Sequence, residues 1–148
     1  MEDASHISGL AFEKHVVGLF GNDFKILRWM REGASREEVD FCPDLEIMHV
    51  RTGDVFGVEC KYRSTHHLGW LAWAKEYQLR KYGRYCEVSG RHLFIVIGLG
   101  GTAEKPDYMY CIPSWQAGHN MLEADRLKRY RRNPLRKFRW DDKAHRPI

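Results

Sequence analysis

Apolar residues Phe12, Val16, Leu19 and Phe20 recur at steps of one, three and four, a spacing that lines one face of a helix. Ser5 or Ser8 offers an N-cap and Gly21-Asn22 a stop, so the pattern predicts a first helix between them. Phe24 to Trp29 alternates well enough for a strand, and the charged stretch from Arg31 to Asp40, which contains Gly33, reads as a loop. Alternation returns from Leu45 to Val50, breaks at Thr52-Gly53-Asp54 and resumes from Val55 to Tyr62. That pattern predicts a β-hairpin.

Beyond the hairpin, Leu71, Ala74, Gln78, Tyr82 and Tyr85 fall at helical steps, predicting a helix from about Trp70 to Tyr85. The apolar run Leu93-Phe94-Ile95-Val96-Ile97 is short enough for a buried strand over His92 to Gly98, and Tyr108 to Ile112 predicts another. Pro113-Ser114 then opens a helical C-terminal region interrupted at Pro134. The expected fold class is α/β, a mixed central sheet flanked by helices.

A length of 148 residues suits one domain with one core, and 43% hydrophobic against 30% charged residues excludes a disordered chain. No stretch approaches the roughly 20 apolar residues of a membrane span, and the acidic start Met1-Glu2-Asp3 is unlike a signal peptide, so a cytoplasmic location is expected. Cys42, Cys60, Cys86 and Cys111 form no CxxC pair, and the eight histidines, His66-His67 included, show no metal-ligand spacing; buried thiols are expected rather than zinc or disulfides. The net charge of +4 hides an asymmetry. Residues 126–139 hold eight of the 24 Lys and Arg and no acid, leaving 16 basic against 20 acidic side chains elsewhere. Arg126, Lys128, Arg129, Arg131, Arg132, Arg136 and Lys137 are therefore candidates for contacts to a phosphate backbone; a solvated basic tail would have the same composition.

The hairpin carries the candidate chemistry. Asp44 stands at the start of its first strand, and Glu59 and Lys61, two residues apart on the second, share a face of the sheet. Two neighbouring carboxylates repel each other unless a cation joins them, and oxygen ligands suit a hard ion such as Mg²⁺ or Mn²⁺. The backbone carbonyl of Cys60 is a further oxygen at the same edge, and Lys61 adds a positive charge for substrate. This set suits phosphodiester cleavage without a covalent nucleophile.

Pro43-Asp44, fourteen intervening residues, then Glu59-Cys60-Lys61 resembles the signature of the PD-(D/E)xK nuclease superfamily. Two further positions strengthen the resemblance. Glu13 lies on the first helix, where many members carry an acid near the metal, and Gln78-Leu79-Arg80-Lys81-Tyr82 is similar to the QxxxY motif of RecB-like members. The resemblance implies a restriction-endonuclease-like core and a Mg²⁺-dependent nuclease acting on DNA. Asp44, Glu59 and the Cys60 carbonyl would hold the metal, with Lys61 catalytic and Glu13, Gln78 and Tyr82 in support. A dimeric, structure-selective resolvase of Holliday junctions and a non-catalytic nucleic-acid-binding module on the same fold stand as alternatives.

Plainer readings compete at each position. Glu59 and Lys61 could form an exposed cross-strand ion pair, Glu13 a solvated helix acid, and Gln78 with Tyr82 a half-buried helix edge. Trp70 and Trp73 suit a core better than base stacking. Asp141-Asp142-Lys143 and Pro106-Asp107 repeat fragments of the signature without its remaining parts. Gly98-Leu99-Gly100-Gly101-Thr102-Ala103 matches a dinucleotide fingerprint, but Lys105-Pro106 leaves no room for the required helix, and a glycine-rich turn is expected instead.

Overall fold

The computed structural model describes residues 4–30 and 35–148. In chain order its elements are α1 (Ala4–Leu19), β1 (Phe24–Trp29), α2 (Arg36–Phe41), β2 (Leu45–His49), β3 (Val55–Arg63), β4 (Trp70–Ala72) and α3 (Glu76–Ser89). There follow β5 (His92–Leu99), β6 (Tyr108–Pro113), β7 (Met121–Glu123), α4 (Ala124–Leu127), β8 (Arg131–Arg132), β9 (Trp140–Asp141) and β10 (Arg146–Pro147). Six strands form the central sheet in the order β1-β2-β3-β5-β6-β8, and β3 and β5 are its parallel pair. The mixed sheet flanked by helices is the expected class.

The run from Leu93 to Leu99 is buried throughout because β5 is central and covered on both faces. Phe94 and Val96 face α1 and pack with Phe12, Val16, Phe56 and Val58. Leu93, Ile95 and Ile97 face α3 and pack with Tyr82, Tyr85, Leu71 and Trp73. Close approach of α1 to the sheet depends on Gly98, where an added Cβ would stand 2.4 Å from the Phe12 ring.

Four expectations are corrected. The first helix already runs from Ala4, ahead of both serines proposed as caps. Residues 31–34 of the expected loop lie outside the described residues, and its second half is α2, started by a Ser35 and Glu38 capping box. The helix expected from Trp70 begins only at Glu76; Trp70–Ala72 is a strand paired with β7, and Arg63 fixes it by donating to the carbonyls of Ala72 and Trp73 at 3.0 and 2.9 Å. The C-terminal region is helical only in short pieces, a 3₁₀ turn at Ser114–Gln116 and the four-residue helix Ala124–Leu127 that runs on into a 3₁₀ turn at Lys128–Tyr130, set among short strands and turns. The glycine-rich turn after β5 is as expected, with Gly100 and Gly101 at positive φ.

Candidate active site

Alternation along β3 sends Phe56, Val58 and Cys60 toward α1 and Glu59 and Lys61 toward α3. Gly57 leaves room on the α3 face, since a Cβ there would meet Tyr85 at 2.8 Å and the Pro43 ring at 2.9 Å. Pro43 thus seats against the sheet, and Asp44 follows it immediately before β2.

Asp44 and Glu59 are laced together through the backbone. The Asp44 N–H donates to Glu59 Oε1 at 3.0 Å, and the Cys60 N–H donates to Asp44 Oδ2 at 2.8 Å. An extended residue presents its N–H and C=O at the same strand edge, so the Cys60 carbonyl faces the Asp44 side as well. Glu59 Oε2 accepts the Tyr82 hydroxyl at 2.7 Å and lies 3.7 Å from Lys61 Nζ, with both ion-pair side chains largely buried. Trp73 stacks on the Tyr82 ring and holds it in place. The exposed ion pair considered from sequence is therefore a buried network.

Glu13 approaches from α1 at the end of the sheet, where the Trp29 indole N–H donates to its Oε1 at 3.0 Å. Burial raises the Asp44 carboxyl well above its usual range, and the charges of Glu59 and then Glu13 raise it further; the Cys60 N–H and Lys61 pull it partly back. Burial and the same acids also push the Cys60 thiol up, and burial with the Glu59 charge raises Tyr82. Three carboxylates thus converge with one lysine among them.

Gln78 stands apart from this cluster. Its side-chain oxygen accepts the Lys75 N–H at 2.9 Å and closes the start of α3, so the paired reading of Gln78 and Tyr82 separates into a cap and a contact to Glu59. Trp29, which orients Glu13, had no signal in the sequence beyond its place in a strand.

The basic segment divides likewise. Arg126 pairs with Glu123 at 3.5 Å and Lys128 with Asp125 at 3.1 Å. Arg132 lies 3.7 Å over the Phe138 ring and donates to the carbonyls of Asn133 and Arg136; burial lowers its pKa to about 10. Lys137 donates to the Gly18 carbonyl at the end of α1. Arg132 is half-buried and used inside the fold, whereas Arg129, Arg131, Arg136 and Lys137 are exposed.

No protein-family model and no curated protein matches the chain. Solved structures do. Hjc, a Holliday junction resolvase from the archaeal hyperthermophile Archaeoglobus fulgidus, aligns at a TM-score of 0.60 and 16% identity, over 82% of this chain and 93% of that chain. The fold is restriction-endonuclease-like.

Within this restriction-endonuclease-like fold the residues at the site fit a hard cation. The donors are oxygens only, and the clustered acids that raise Asp44 would be relieved by positive charge. Among the described residues no group of three or more His, Cys, Asp and Glu side chains could hold a metal by itself.

Proposed function

We propose that the chain is a metal-dependent nuclease that hydrolyses phosphodiester bonds of DNA. The observation that carries this reading is the meeting of the half-buried Asp44 with the buried Glu59, which is joined to Asp44 through the backbone and lies 3.7 Å from Lys61, a pair of carboxylates whose mutual charge helps to raise Asp44. Asp44, Glu59 and the Cys60 carbonyl would hold Mg²⁺ or Mn²⁺, which supplies a Lewis acid and a bound water of lowered pKa.

The chain's own residues do the rest. Lys61, held beside Glu59, presents its ammonium to a phosphoryl oxygen on which negative charge develops. Tyr82 fixes one Glu59 oxygen and Trp29 fixes Glu13, so the acids meet substrate in one arrangement. The superfamily signature supports these roles, and Tyr82 is the part of the QxxxY pattern that touches the cluster. No helix among the described residues is long and apolar enough to cross a membrane.

The test is cleavage of labelled DNA with Mg²⁺, with Mn²⁺ and with chelator, joined to thermal melting. Added metal is expected to raise the melting temperature of the wild type, by the equivalent of about 2.7 kcal/mol at a hundredfold excess over Kd, and not that of Asp44→Asn. Equal metal responses, or cleavage retained in chelator, would remove the proposed site. The likeness to Hjc supports a second reading, a dimeric junction resolvase. Preference for a four-way junction over linear duplex of the same sequence, in a preparation that sediments as a dimer, is its expected signature.

A further inference from the structure

The strand registers carry one face of the sheet across to its far edge. Lys61 of β3 aligns with Ile97 of β5, Ile97 with Tyr110 of β6, and Tyr110 with Arg131 of β8. Aligned residues on neighbouring strands share a face, and strands lie about 4.8 Å apart, so Arg131 stands roughly 14 Å from Lys61 on the α3 side.

There a cleft of about 700 Å³ opens between the turn after β3 and the β6–β8 edge. Ser64, Thr65 and His66 line one wall; Tyr108, Lys128 and Arg131 line the other. The walls are tied together where the Ala124 N–H donates to the Gly69 carbonyl at 2.7 Å. Asp125 is the acid of this lining and is met by Lys128. Arg131 has no carboxylate partner among the described residues, and its guanidinium is held 4.8 Å over the ring of Tyr108, itself 42% exposed. An oriented, unneutralised arginine facing two hydroxyls and a histidine is a donor set for phosphate oxygens.

We propose that this cleft holds the phosphodiester backbone of the DNA strand as it runs on from the candidate active site, a few nucleotides from the bond to be cut. The inference rests on the nuclease reading and names a binding subsite for the same substrate. Arg131 acts here through the strand it grips, away from the reacting atoms.

The experiment is the salt dependence of binding of the full chain to a fluorescent DNA duplex in chelator, by anisotropy. Arg131→Gln is expected to flatten the slope of log K against log salt by about 0.9, one lost phosphate contact, with the melting temperature kept. Thr65→Glu, on an exposed turn, should weaken binding severalfold by placing a carboxylate in the strand's path. Arg139→Gln, beside the α1 face near Trp140, should change neither quantity. If Arg131→Gln melts early, Thr65→Glu decides alone. Binding unaltered by Thr65→Glu, an unaltered slope in a stably folded Arg131→Gln, or an equal loss in Arg139→Gln overturns the subsite. If the wild type still cuts DNA and Asp44→Asn does not, the nuclease reading survives that loss; a wild type that binds no DNA ends both.

Discussion

Two buried glutamates on the same face of the sheet have opposite surroundings. Glu59 and Glu46 are 5% and 7% exposed, and each accepts a tyrosine hydroxyl from α3, Tyr82 at 2.7 Å and Tyr85 at 2.8 Å. Glu46 is also met by Arg91 and, at 3.5 Å, by Arg28, so its charge is balanced. Glu59 has Lys61 at 3.7 Å, and two more acids close by. Burial of a carboxylate is common to both places; crowding by further acids belongs to one. The comparison teaches that the sum of charge in a buried cluster, and not the presence of an acid, separates a candidate site from a structural brace.

The largest expected effect falls on chemistry at one cluster only. Lys61→Ala should lower the cleavage rate by about 100-fold or more, the scale of losing one charge-stabilising group, whereas Glu46→Gln should leave the rate of the folded protein within a few fold. Comparable losses in single-turnover assays would abolish the distinction.

Removing the hydroxyls should hurt both clusters alike, because each glutamate would lose a donor while remaining buried. Tyr85→Phe and Tyr82→Phe should each lower stability by about 1.5 to 3 kcal/mol in denaturant melts, but only Tyr82→Phe should also slow cleavage. A slow Tyr85→Phe enzyme would extend the site to Glu46.

The smallest effect has the most informative sign. A raised Asp44 pKa means that the folded chain binds a proton the unfolded chain has released, so metal-free stability falls as pH rises from 3.8 toward the folded value and stays low above it. Asp44→Asn removes that loss and keeps an oxygen for the Cys60 N–H. It should stabilise the metal-free protein by about 0.5 to 2 kcal/mol at neutral pH, a gain that vanishes below pH 3.8. Destabilisation at neutral pH would make Asp44 a brace like Glu46.

The hairpin was legible because its period of two is unbroken on either side of Gly53, and that period brings Glu59 and Lys61 to one face. The start of α3 was not, since Trp70, Leu71, Trp73 and Ala74 satisfy helical steps as well as a short strand; pairing with the distant Met121–Glu123 and the grip of Arg63 decide it. Ser35 and Glu38 did carry a capping-box signature inside a stretch whose polarity suggested only a loop. The balance around Glu46 depends on Arg91, 45 residues away, and no local pattern reveals such a partner. In the basic segment composition concealed a division of labour, with Arg132 drawn in over Phe138 while Lys137 stays exposed and meets the carbonyl of Gly18 at the end of α1.

The space over Gly98 that receives the Phe12 ring makes the height of the first helix above the sheet depend on a single position. Glu13 follows Phe12 directly. Any side chain at residue 98 would push that helix outward and carry Glu13 away from Asp44, although nothing at 98 touches a carboxylate. The acidity of the cluster is thus adjustable from behind the sheet, by bulk alone, and a single added methyl would act on the site as a remote detuning screw.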